Sequence, residues 1–184
     1  MRMTTILMGV ALGVATPLAV AANPSYYVFA DVGQSKVSKG CEGLPSSGTC
    51  KDNDVAIRAG LGYQFSNLLG FEGGYVDSGK VTTPNNGSLS SIKATEWQFA
   101  ATGAVQVVPK FSLTGKAGMS SWKLDASTSS ASANGNDFLL GAGARYDLDP
   151  SLSLRMQFET HKVGNVTTGR HDMNLLSMGL IAKF

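Results

Sequence analysis

One regularity dominates this chain: apolar and polar residues alternate with a period of two in eight segments of roughly ten residues. Residues 55–65 show it best. Val55, Ile57, Ala59, Leu61, Tyr63 and Phe65 take the odd positions, and Ala56, Arg58, Gly60, Gly62 and Gln64 the even ones. Residues 26–33, 69–76, 97–107, 111–122, 138–148, 152–161 and 173–184 divide in the same way. Successive side chains of a strand point to opposite faces, so the pattern predicts strands with two chemically different faces. Helical periodicity is absent. Beyond residue 22 no run of 18 apolar residues supplies a transmembrane helix.

The connections alternate as well. Residues 66–68, 108–110 and 149–151 read as short turns, whereas 34–54, 77–94, 123–136 and 162–172 are long and rich in Gly, Ser, Asn and Thr. Such alternation belongs to an antiparallel meander with all its tight turns at one end. The predicted fold is all-β, an eight-stranded antiparallel transmembrane up-and-down β-barrel with short periplasmic turns and four long external loops.

The two faces support that choice. One carries Tyr26, Val28, Leu61, Phe71, Phe99, Leu113, Phe138, Met156, Leu180 and similar residues, with no formal charge. The other carries Asp31, Arg58, Glu72, Gln98, Thr102, Lys116, Arg145, Arg155 and Gln157, interspersed with glycines. Charged residues are 15% of the chain, against about 25% in ordinary soluble domains. The apolar face is therefore expected to meet lipid and the polar face to fill the lumen. An eight-stranded barrel is just wide enough inside for side chains, and glycines there leave room for long Arg, Lys and Glu. Charges so placed must pair, because an unpaired buried ion is strongly destabilising. A soluble secreted barrel with its faces reversed is the alternative. A net charge of +2 leaves no electrostatic footprint for nucleic acid. No motif calls for a metal or an organic cofactor.

At the N-terminus, Arg2 precedes a stretch from Ile6 to Val20 that is almost all apolar or small and is followed by Ala21 and Ala22. It is short for a membrane span and is interrupted by Pro17. Residues 1–22 thus read as a secretory signal peptide, and 23–184 as the barrel. Export to an oxidising compartment permits Cys41 and Cys50, the only cysteines, to pair within one long connection. Closing so short a loop contributes about 2.5–3 kcal/mol in the chain-entropy model. Free thiols or a metal pair are the rival readings, and no nearby histidine completes a metal site.

Segments 55–77, 138–158 and 175–184 resemble the eight-stranded transmembrane domain of the OmpA family of outer-membrane proteins. The resemblance rests on Gly62-Tyr63-Gln64-Phe65 followed by Leu69-Gly70-Phe71-Glu72-Gly73-Gly74-Tyr75, on residues 141–148 and 152–158, and on an end similar to the last strand of such barrels. It implies residence in the bacterial outer membrane, among its lipid and lipopolysaccharide. It implies that Phe184 is the signal read by the barrel-assembly machinery, and that the family's periplasmic peptidoglycan-binding domain is absent here. In the family a lumenal Glu–Arg gate pairs interior charges. Glu72 and Arg155 fall on matching positions, whereas Arg145 stands where the family has an acid. Arg145 and Arg155 are expected almost opposite each other across a hairpin, bridged by Glu72, with Asp31 serving Lys116 or Arg58.

Three functions compete. The first is a structural or adhesin-like barrel whose four external loops meet a host or cell-surface ligand. The second is a narrow or gated channel, biased toward anions by its lumenal bases. In the third, His161 and Glu159 near the outer rim serve a lipid-modifying enzyme. No motif names a nucleophile, so no catalytic residue is assigned and the first reading is preferred.

Overall fold

The computed structural model describes residues 24–38, 51–85, 88–126, 132–163 and 171–184. They form eight strands: β1 (Ser25–Val37), β2 (Asn53–Gln64), β3 (Leu69–Asn85), β4 (Ser88–Val108), β5 (Phe111–Ala126), β6 (Ser132–Asp147), β7 (Leu152–Val163) and β8 (His171–Lys183). Each pairs antiparallel with the next, and β8 returns to β1, so the sheet closes. Closure leaves no free edge, which lets a sheet cross hydrocarbon with its backbone groups satisfied. The signal-peptide stretch, Cys41 and Cys50 lie outside the described residues.

Local chemistry makes the short turns. Between β2 and β3, Ser66 Oγ accepts the N–H groups of Leu68 and Leu69 at 3.3 and 2.9 Å. Between β4 and β5, Pro109 presets its own φ and Lys110 takes φ 68°, the left-handed conformation that a tight reversal demands. Between β6 and β7, Asp149 Oδ1 accepts the N–H groups of Ser151 and Leu152, each at 2.8 Å. Both barrel termini share this end: Lys183 N–H reaches Ser151 O at 2.7 Å, and Phe184 N–H reaches Tyr26 O at 3.0 Å.

At the other end the strands outrun the sequence pattern. Most of the expected loop 77–94 is a continuation of β3 and β4, paired as far as Asn85 and Ser88. Similarly, β5 runs to Ala126 and β6 begins at Ser132. Polar composition marked these stretches as loops. Beyond the bilayer, however, a strand needs only backbone partners and no apolar face, so the ladder continues without the alternation.

Within the membrane span the faces divide as expected. Leu61, Phe99, Phe138 and Met178 are each more than half exposed on the outside, while Asp31, Arg58, Glu72, Lys116 and Arg155 are buried in the lumen. Tyr26 stacks near Tyr63 and Phe65 near Phe71 toward the turn end (centroids 4.9 and 5.6 Å), and Tyr75 meets Trp97 edge-on toward the other (5.2 Å). All six rings belong to the apolar outer face of the wall.

Candidate functional site

The lumen is filled in layers. At the turn end a vestibule of about 40 Å³ is lined by Tyr27, Glu72, Thr102, Arg145, Arg155 and others. That is room for a few water molecules at ~10–15 Å³ each. Next comes a charged layer. Arg155 on β7 places Nε 2.7 Å from Asp31 Oδ1, Nη2 2.5 Å from Asp31 Oδ2 and Nη1 2.8 Å from Glu72 Oε1. Tyr27 donates its hydroxyl to the same Glu72 oxygen at 3.0 Å. Arg58 on β2 reaches Asp31 Oδ2 at 2.8 Å through Nε, and also contacts Glu159 and Gln157. The Phe29 ring packs against both guanidinium groups, with its centroid 4.0 Å from Cζ of Arg155 and 5.4 Å from Cζ of Arg58. Its π-cloud offsets some of the repulsion between two cations that share one carboxylate.

Deeper toward the loop end, Lys116 on β5 pairs with Glu159 on β7 at 2.8 Å and donates to Gln98 at 3.4 Å. Both pair in register with Gly141, which stands between them on β6. A Cβ there would lie 3.0 Å from Lys116 Cγ and 3.1 Å from Glu159 Cγ, so the glycine is the clearance through which they meet. Above them Glu96 accepts Ser78 Oγ at 2.9 Å and Ser120 Oγ at 2.6 Å, with His161 Nε2 at 3.0 Å. An apolar layer of Ala94, Trp122, Val163 and Met173 follows.

Several expected pairings are corrected. Glu72 takes Arg155 but does not bridge it to Arg145. The two arginines do stand in register across the β6–β7 hairpin. Arg145 nevertheless lies 3.4 Å from Asp147, two residues along its own strand. Its side chain stays in the lumen, lining the vestibule with Glu72 and Arg155, but takes this nearer carboxylate as its acid. Asp31 serves Arg58, as one of two alternatives foresaw, and also Arg155; Lys116 goes to Glu159 instead. Glu159 and His161 are not rim residues. Their side chains are 0% and 1% exposed, and they take different partners, Glu159 the bases Arg58 and Lys116, and His161 the acid Glu96.

Glu96 and Glu159 were absent from the expected charge network. Their signal was available, since Glu159 shares the parity of Arg155 and Gln157, and Glu96 that of Gln98. Phe184, the expected assembly signal, is the exposed last residue beside β1.

Comparison with known proteins agrees with this architecture. The family model for the OmpA-like transmembrane domain matches residues 21–184. Outer membrane protein A of Yersinia pseudotuberculosis is 27% identical over 197 residues, covering 100% of this chain and 56% of that protein. The chain thus spans little more than half the length of this relative. The crystal structure of Neisserial surface protein A is similar with a TM-score of 0.66 and 21% identity, covering 89% of this chain and 100% of that one. Ail, the attachment invasion locus protein of Yersinia pestis, crystallised with the heparin analogue sucrose octasulfate, has a TM-score of 0.58 and 15% identity over the same shares. With a closed barrel, a lipid-facing apolar surface and a family match over nearly its whole length, this chain belongs to the OmpA-like transmembrane domain family and resides in the bacterial outer membrane.

Proposed function

We propose that the barrel is an envelope structural protein with an adhesin-like role, its external connections meeting ligands at the cell surface. The filled lumen is the observation that carries this reading. Buried ion pairs occupy its middle, and Trp122, Val163 and Met173 occupy its outer part, which leaves a solute no wide path. Glu159 and His161, buried and separately partnered, argue against rim catalysis. Ail, similar in fold, was crystallised with a sulfated ligand.

The test uses cells displaying the full chain and a surface coated with heparin fragments. Salt-sensitive adhesion above that of vector-only cells is expected, with no steady conductance of the purified barrel in a planar bilayer. Absent adhesion to heparin and to host-cell matrix, or a stable conductance abolished by Arg155→Ala, would reverse the order of the readings. Phe184 is proposed as the assembly signal. Phe184→Ser should lower the amount of heat-modifiable barrel recovered from outer membranes.

A further inference from the structure

We propose that Lys80 and Lys93 form a site on the outside of the barrel for the phosphate groups of outer-leaflet glycolipid, the lipid A part of lipopolysaccharide. The site arises from a break in the alternation of β3. Tyr75 and Asp77 point outward, and Val76 and Ser78 are buried inside. Continued alternation would send Lys80 into the lumen. Instead the register moves from Asp77↔Thr95 to Lys80↔Lys93, three residues on β3 against two on β4. The extra residue is accommodated by Gly79 at φ 76°, and Lys80 emerges exposed on the outer face. A β-bulge characteristically re-aims a side chain in this way.

The bulge is held on every side. Asp77 Oδ1 accepts the Gly79 N–H at 3.1 Å, and Asp54 Oδ2 on β2 accepts the Lys80 N–H at 2.9 Å. Ser78 is pinned inward, donating to Glu96 at 2.9 Å while its carbonyl accepts Ser35 Oγ at 2.5 Å. All this places two lysines directly opposite each other, an arrangement that is repulsive without an anion. Lys93 has Asp77 at 2.8 Å, and Lys80 has no ion pair among the described residues. On the flanks, Lys51 pairs with Asp54 at 3.4 Å and Lys123 with Asp125 at 3.0 Å.

Depth identifies the anion. Tyr75 and Trp97 lie on the outer face of these same two strands, nearer the turn end than the lysines. Ten residues of tilted β4 separate Gly103, level with Leu69 at the turn end, from Lys93, a rise of ~25 Å that matches the height of the apolar band and brings the ammonium groups to the headgroup phosphates of the outer leaflet. Beneath lies the lipid-facing wall of Tyr75, Trp97 and Phe99, exposed to acyl chains. A soluble glycan would use the cations and leave that wall unused; a phosphorylated glycolipid uses both.

This inference rests on the outer-membrane placement and not on the adhesin-like role. Its test takes the purified barrel in detergent and bis-phosphorylated lipid A, with enzymatically dephosphorylated lipid A as comparison, and reads retained lipid by native mass spectrometry. The Lys80→Gln, Lys93→Gln double variant should lose roughly tenfold or more in affinity for the phosphorylated lipid alone, from about one interfacial cation each. Lys110→Gln, at the opposite end, should change nothing. Heat-modifiable mobility verifies that the variants are folded. Equal retention of both lipids, an unchanged double variant, an equal loss in Lys110→Gln, or a double variant that loses heparin-fragment binding but keeps lipid A would each overturn the proposal.

Discussion

Arg155 on β7 grips Asp31 on β1 with two nitrogens, Nε to Oδ1 at 2.7 Å and Nη2 to Oδ2 at 2.5 Å, across 124 residues of sequence. Asp31 also holds Arg58, so one carboxylate stitches β1 to both β2 and β7. Removing one partner leaves the others buried and under-compensated. Arg155→Ala should destabilise the barrel by about 3–5 kcal/mol, seen as a lower urea midpoint of Trp fluorescence in micelles. The joint Arg155→Met, Asp31→Asn variant should cost less than the sum of the two single changes, because it removes charge from both sides.

Gly62 faces the Tyr27 ring, which a Cβ at that position would overlap. Gly62→Val should therefore cost about 1–3 kcal/mol by overpacking. Tyr27→Ala in the same chain should recover part of the loss, measurable as a non-additive double-mutant cycle. Simple additivity would mean that the valine is harmful for some reason other than the ring.

Leu61 on β2 pairs in register with Gly73, four residues along β3 from Leu69 at its turn end, which is ~10 Å into the apolar band. It is 64% exposed, and the medium it faces is hydrocarbon. Leu61→Arg should lower stability in phospholipid vesicles by about 2–4 kcal/mol, as for a cation near the midplane. The same change should be far milder in a soluble barrel, so the measured cost also checks the membrane reading.

Asp149 in the β6–β7 turn sits outside the membrane. Its hydrogen bonds from the Ser151 hydroxyl and N–H and from the Leu152 N–H hold its carboxyl below the usual carboxylate range. A lowered folded value means that the carboxylate's contribution is fully present above about pH 4, the ordinary value, and is lost as pH falls through the folded one. Asp149→Asn should lower the neutral-pH midpoint slightly and flatten this acid limb, its stability converging with that of the parent at low pH, as read by urea unfolding at successive pH values.

The barrel and its inside-out faces were legible because period two is a local property of each strand. Arg58 must point away from Ile57 whatever the neighbouring strand does. Turn chemistry at Ser66, Pro109 and Asp149 is equally local. The lumen was legible only as an inventory. Asp31, Arg58, Glu72, Lys116 and Arg155 could be placed inside by parity, and Glu159 and Glu96 could have been added by the same rule.

Partner choice was another matter, since it is decided across the lumen by register and reach. Lys116 finds Glu159 because both lie in register with Gly141, whose missing side chain lets them meet. Arg145 stays in the lumen but pairs with Asp147 on its own strand and not with Glu72. The outward turn of Lys80 depends on a single extra residue in β3, held by Asp54 from the neighbouring strand. Sequence alone determined which side of the wall the residues of each unbroken strand segment occupy, because alternation is built into the extended backbone. The closed barrel alone decided which charges meet, because those contacts join residues far apart in the chain whose relative heights are set by strand register.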